Sequence, residues 1–313
     1  MSLNYSFSKF LWHQPWFNPR FGRTVYKSIC RHGEAPDFPF ETDFFGLKYQ
    51  GNLRNNIDFN VYYYGAFEKS LLFFLRDCLQ SIHKSPSIFC DVGANIGQHS
   101  LFMSKVADQV HAFEPFTEVR KKIDQHICLN KILNLSVHNV GLSDKDELLP
   151  FFAPTGRNQG IGSFDASTTA KGNRNIGNLL LVSGDSYFQQ QSIVGVDLIK
   201  IDVEGFEKSA LQGLRNTLAN DRPVVVCELT YGRDLSIISM EELSSLFPQN
   251  YSFLTFDNRK SNGSKARRKE AKARKSGIYN LVPFEFRLQS GQDDIVACPN
   301  ESLDRIPCKN LAR

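Results

Sequence analysis

The sequence predicts an α/β protein built on a mainly parallel sheet. Three observations carry this. From about residue 86, apolar runs of five to seven residues alternate with stretches of helical period. The first of these runs ends in a glycine-containing turn that opens a helix. The 313 residues, 41% hydrophobic and 22% charged, are enough for one such domain with extensions and exclude a wholly disordered chain.

The elements follow in order. Residues 1–80 read as an aromatic-rich arm, with Phe10, Trp12, Trp16, Phe17 and Phe21 among Pro, Asn and Arg. The arm ends in a helix over about 65–82, where Phe67, Leu71, Phe74, Leu75 and Cys78 share one face. Residues 81–313 read as the main domain. Ile88–Val92 is its first strand, followed by a helix with Leu101, Phe102 and Val106. Val110–Phe113 is the second strand. Thr117 caps a helix whose apolar face includes Val119, Ile123 and a core histidine, His126. Leu135–Leu142 is the third strand, 143–185 a turn-rich hairpin region, and Val196–Val203 the fourth strand. The fifth is Val224–Leu229. Ser239 with Glu242 makes a capping box, and Tyr251–Phe256 is the sixth strand. A seventh, Ile295–Cys298, pairs antiparallel with the sixth across a basic insertion at about 257–293.

Charge and cysteine patterns exclude several classes. The net charge is +4, but Arg259–Lys275 alone holds nine Lys/Arg against one Glu. The rest of the chain is therefore mildly acidic, and the protein does not read as a general nucleic-acid binder. The segment reads as a solvated helix or loop, because its apolar residues are alanines. Its sharper readings are attraction of an anionic substrate, an acidic membrane surface or RNA. The absence of interleaved aromatics before Tyr279 weighs against RNA. Seven cysteines, with no C-x-x-C, read as reduced buried thiols. The histidines lack zinc-ligand spacing, so no metal is expected. No apolar run approaches the roughly 20 residues of a membrane span. No secretory signal is visible, and the expectation is a cytoplasmic protein.

The chemistry concentrates in Asp91-Val92-Gly93-Ala94-Asn95-Ile96-Gly97. Gly93 permits a sharp turn after the strand, and Gly97 a helix start or close approach of a ligand. Glu114 ends the next strand, 21 residues after Gly93, where a carboxylate accepts hydrogen bonds from ribose hydroxyls. Asn95 replaces the middle glycine of a dinucleotide fingerprint. The loop therefore suits a cofactor without a pyrophosphate, and the surrounding Asp91, Glu114 and Asp202 suit the sulfonium of S-adenosylmethionine. The competing reading is a tight structural turn.

With these residues in view, the chain resembles the FkbM family of S-adenosylmethionine-dependent methyltransferases over roughly 86–256. The resemblance rests on the DVGANIG loop, Phe113-Glu114-Pro115, Asn139–Asp144, and above all Asp197-Leu198-Ile199-Lys200-Ile201-Asp202-Val203-Glu204-Gly205-Phe206-Glu207. It implies a Rossmann-like class I methyltransferase fold with a mainly parallel seven-stranded sheet. It also implies Asp91, Gly93, Ala94, Asn95, Gly97, Glu114 and Gly141 as cofactor-binding residues. The implied reaction is methyl transfer to a hydroxyl of a carbohydrate or related small molecule.

Asp202 and Glu204, at the end of the fourth strand, are the candidate reaction-centre residues. Asp202 would hold the methionine amino group or the acceptor. Glu204 reads as a base, a cation ligand or a helix N-terminal charge. Glu207 reads as such a charge, Glu228 as a cleft-edge residue, and His99 as a helix-surface or core residue. Asn158–Ser163 reads as an active-site loop or simply a hairpin. The alternatives from other classes are an RNA methyltransferase guided by the basic segment, and a non-catalytic glycan- or partner-binding module.

Overall fold

In the computed structural model, the described residues are 2–14, 36–82, 84–154, 162, 164, 169, 172–203, 205–232, 236–260, 264–286 and 291–310. Helix α1 (Ser2–His13) opens the chain, and strands β1 (Pro39–Phe44) and β2 (Leu47–Asn52) form a hairpin. Helix α2 (Asn56–Tyr64) follows. Its Asn55 cap accepts from the Ile57 and Asp58 amides, and Gly65 ends it at φ +84°. Helix α3 (Lys69–Ile82) buries Leu71, Leu72, Phe74, Leu75, Cys78 and Ile82. It starts four residues later than the sequence predicts, because Gly65 closes α2 and Glu68 adopts φ +47°.

The main domain continues with β3 (Ile88–Val92), α4 (Gln98–Met103), β4 (Gln109–Phe113), α5 (Thr117–Asn130) and β5 (Leu135–His138). Thr117 is the first helical residue of α5 rather than its cap, and Phe116 occupies the cap position. The predicted third strand divides. Residues 135–138 stay in the main sheet, while β6 (Gly141–Ser143) joins β7 (Glu147–Pro154) and β8 (Asn173–Ser183) in a separate three-stranded sheet. Then come α6 (Gly184–Gln191), β9 (Leu198–Ile201), α7 (Glu207–Gly213), α8 (Arg215–Asn220) and β10 (Val224–Tyr231). Helix α9 (Met240–Ser245) carries the predicted cap, Ser239 Oγ accepting from the Glu242 amide at 3.1 Å. The last elements are β11 (Tyr251–Phe256), α10 (Arg267–Ser276), β12 (Leu281–Pro283), β13 (Gly291–Pro299) and a 3₁₀ helix over Asn300–Arg305.

The main sheet runs β12-β11-β13-β10-β9-β3-β4-β5. The five strands from β10 to β5 are parallel, and β13, β11 and β12 are joined antiparallel. This is the Rossmann-like α/β sheet the sequence predicts, with one short edge strand, β12, added from the insertion. Both faces are covered, so the strands are apolar on both sides. Phe89, Leu198, Val224 and Val226 point into a core shared with α2, α3 and the β1–β2 hairpin. Cys90, Val92, Ile199, Ile201, Val225 and Cys227 point into a second core with α6, α7 and α9.

His126 is a core residue as predicted. It is buried, stacks on Tyr49 at 4.5 Å, and its Nε2 accepts from the Gln50 amide, tying α5 to β2. Among the described residues, no helix is long and apolar enough to cross a membrane.

Candidate active site

Parallel strands leave their carboxyl ends and the following loops on one edge, and there β3, β4 and β9 converge. A cavity of about 290 Å³ opens at that edge. Gly93, Ala94 and Asn95 from the loop after β3 line it, with Glu114, Pro115 and Phe116 after β4, Gly141 and Leu142 on β6, and Asp202 after β9.

The loop after β3 is fixed by its backbone. The Gly93 and Ala94 amides both donate to the Phe113 carbonyl at 3.0 Å, and the Asp202 amide donates to the Val92 carbonyl at 3.0 Å. Gly93 has φ +80°, and a Cβ there would lie 1.9 Å from the Asp202 carbonyl oxygen. Gly97 has φ +78°, and a Cβ there would press on Ile123 of α5 at 2.7 Å. Both glycines thus answer to close chain packing, whatever ligand the loop meets. Gly93 reaches the cavity; Gly97 does not line it.

Glu114 is buried. Its Oε2 accepts from the Asn95 amide and its Oε1 from the Phe116 amide, each at 2.8 Å. An ionised carboxylate has about four acceptor positions, so two remain for hydroxyl donors in the cavity. Burial pushes the Glu114 carboxyl up to about 7, against the two amides that favour its charged form.

Asp91 lies behind the wall rather than in it. It is fully buried, and its Oδ2 accepts from Ser100 Oγ at 2.6 Å. Its Oδ1 makes no hydrogen bond among the described residues and faces the Lys200 ammonium 3.7 Å away. Lys200, from β9, is buried and also reaches Asp202 Oδ2 at 3.2 Å. Burial alone would lower its pKa, but Asp202, Asp91 and Glu68 together raise it. Asp202 itself is partly exposed to the cavity. Glu204 lies outside the described residues. Glu207 accepts from the Gly205 amide at 2.8 Å, as a helix N-terminal carboxylate does.

Three cavity residues carry no site role in the sequence reading: Glu68, Lys200 and His99, the last read as a helix-surface or core residue and found buried. Glu68 and His99 face each other at 3.5 Å. Gln98 fixes that approach by accepting from the Phe67 amide at 2.5 Å and donating to the Phe67 carbonyl at 3.1 Å. Burial, then the charges of Asp294, Asp202 and Asp91, push Glu68 up to about 8. Burial and the neighbouring Lys200 push His99 well down, so it is neutral. The third is Lys200 itself. Its signal lay within Ile199-Lys200-Ile201, a lysine inside a fully buried strand, which needs carboxylate partners. Glu228, on β10, lines the cavity and accepts from Gln292 at 2.6 Å. Of the Asn158–Ser163 loop only Gly162 is described. It lines the cavity against Phe151, beside Phe164 and Phe206.

A model of the methyltransferase FkbM domain matches residues 91–254. The chain belongs to the FkbM methyltransferase family. The match runs from the first residue of the DVGANIG loop to within β11. Among solved structures, methyltransferase FkbM from Methylobacillus flagellatus is 16% identical. The alignment covers 67% of this chain and 43% of that one, with a TM-score of 0.41. This chain therefore spans less than half of that protein. A Streptococcus mutans protein in complex with SAH is 10% identical over 72% of this chain and 94% of that one, with a TM-score of 0.40. A SAM-dependent methyltransferase from Agrobacterium tumefaciens is 9% identical over 85% and 72%, with a TM-score of 0.45. No curated protein matches the chain.

Proposed function

We propose that this FkbM-family protein is an O-methyltransferase that uses S-adenosylmethionine and methylates a hydroxyl of a carbohydrate or related small molecule. The observation that carries the reading is the cavity where Glu114 and Asp202 stand on either side of the Gly93–Asn95 turn. The donor set fits the cofactor. Glu114 keeps acceptor positions for two ribose hydroxyls, Phe116 and Leu142 give an adenine apolar surfaces, and Asp202 offers a carboxylate to the methionine amino group. Gly141 sits where a side chain would meet Leu181 at 2.4 Å, which keeps that wall smooth. In this reading Asp91 and Gly97 act indirectly, one through Lys200 and the other by seating α4 on α5.

Bound there, the cofactor supplies a methyl carbon on a positively charged sulfur, which keeps the bonding pair when displaced. The protein must hold the acceptor oxygen about 3 Å from that carbon, in line with the sulfur, and receive the hydroxyl proton. Asp202 is the proposed positioning group, held by Lys200 at 3.2 Å, and Glu204, two residues further along the sequence, is the proposed proton acceptor. Residues 1–80 act as a cap on the 81–313 domain. Its Asn55, Asn56, Phe67 and Glu68 complete the cavity wall and exclude water from the reaction.

Calorimetric titration with S-adenosylmethionine, with NAD as control, tests the cofactor. Binding of the former alone is expected, and its absence overturns the reading. Normal cofactor affinity without methyl transfer to any hydroxyl compound would instead favour a binding module.

A further inference from the structure

A second cavity, of about 480 Å³, adjoins the first and shares Asn56, Phe67, Glu68, Glu228 and Gln292 with it. Its charge is divided. Where it meets the first cavity it carries the carboxyls of Glu68 and Glu228, and Asp294 also lines it. Helix α10 supplies Lys269, Lys272 and Arg274 to its lining, and Lys265 precedes them.

The division has a physical cause. No residue of α10 is buried, so the helix cannot dock by an apolar face. Polar and close contacts hold it instead. Lys69 Nζ donates to the Lys275 carbonyl at 3.4 Å, and Lys269 pairs with Asp257 at 2.6 Å. Arg274 lies 5.7 Å over the Tyr64 ring, and Gly277 ends the helix against Phe73 where a Cβ would meet that ring at 2.4 Å. Lys265 and Lys269 have carboxylate partners in Glu270 and Asp257. Lys272 and Arg274 have none among the described residues. Lys272 and Arg274 thus offer two exposed cations to the cavity, and an anion entering it would be drawn to them.

We propose that the second cavity is the acceptor pocket, and that the acceptor is a small hydroxyl compound carrying a phosphate monoester. Its phosphate sits against Lys272 and Arg274. Its hydroxyl reaches the shared Glu68–Glu228 wall, next to the cofactor cleft. This deepens the methyltransferase reading and rests on it. A nucleic-acid strand fits less well. Of the three aromatic rings in the lining, Phe67 is half-buried, while Phe256 and Tyr279 are buried and pack on Phe74 at 5.6 and 5.5 Å. Tyr279 further donates to Asp77 at 2.8 Å, so neither of these two can stack on a base, and Phe67 alone makes no track of rings for a strand.

The test titrates inorganic phosphate into the full-length protein saturated with S-adenosylhomocysteine. It is repeated with a Lys272→Gln/Arg274→Gln variant and with Lys272→Arg. Phosphate binding is expected to the native protein, and to weaken about tenfold or more in the double variant, since charge-assisted hydrogen bonds are lost. It should persist in Lys272→Arg, and S-adenosylhomocysteine affinity should be equal in all three. Phosphate that fails to bind, or binds the double variant equally, while S-adenosylhomocysteine binds normally, overturns the acceptor pocket alone. Failure of S-adenosylhomocysteine to bind removes the methyltransferase reading beneath it. Salt-dependent capture of a single-stranded RNA by the native protein in preference to phosphate overturns the small-molecule acceptor.

Discussion

Replacing Lys200 with methionine removes the charge that lets Asp91 stay ionised inside the protein. The ammonium stands 3.7 Å from Asp91 Oδ1 and 3.2 Å from Asp202 Oδ2, and both Lys200 and Asp91 are buried. At an effective dielectric constant near 20, two unit charges about 4 Å apart attract by about 4 kcal/mol. Removing one member of a buried pair costs ~3–5 kcal/mol, because the other charge is left without compensation. Ser100 still donates its hydroxyl to Asp91 at 2.6 Å, which is too little to restore the balance.

The sign with pH follows. Burial already raises the Asp91 pKa, and losing the lysine raises it further. An acid whose folded pKa is raised destabilises the fold once it must ionise, so the deficit grows as pH rises and narrows as pH falls. Urea denaturation of Lys200→Met at neutral and mildly acidic pH measures both effects. The double variant Asp91→Asn/Lys200→Met should recover most of the loss, since no charge is then stranded. A loss under about 1 kcal/mol in the single variant, where the buried-pair cost is ~3–5 kcal/mol, or no recovery in the double, would refute the argument.

Three further outcomes are expected. Glu114→Gln should weaken S-adenosylmethionine binding by about 1.5–3 kcal/mol, the worth of hydrogen bonds to a charged group. In the native protein affinity should rise as pH passes about 7 and Glu114 ionises, whereas in Glu114→Gln it should stay flat, as titration calorimetry across that range would show. Gly93→Ala should lose ~2–5 kcal/mol in urea denaturation. The left-handed φ costs roughly 1–2 kcal/mol and overpacking against the Asp202 carbonyl about 1–3 kcal/mol more, so an undiminished midpoint would contradict the packing described.

The sequence by itself determined the chain order of β3, β4, β5, β9, β10, β11 and β13, the glycine turn after β3 and the acid at the end of β4. Each is a local signal, since strand alternation, helix period and turn residues act between near neighbours in the chain. The antiparallel pairing of β11 with β13 was legible too, because no amphipathic helix separates them to make a parallel crossover. Local signals misplace boundaries where tertiary contacts compete. Leu135–Leu142 reads as one strand, yet β5 pairs with β4 while β6 pairs with β8, more than thirty residues away.

Only the tertiary structure decided what surrounds the cavity. Glu68 and His99 lie thirty-one residues apart and meet through the Gln98–Phe67 hydrogen bonds. Lys200 reads as one residue of a buried strand until Asp91, from the neighbouring strand, is set opposite it in the parallel register. The basic segment shows its cationic composition in the sequence. That it forms a helix held against α3, with cations along a second cavity, follows from contacts such as Gly277 on Phe73. Such contacts join residues some two hundred positions apart, and no local pattern encodes a distance of that kind.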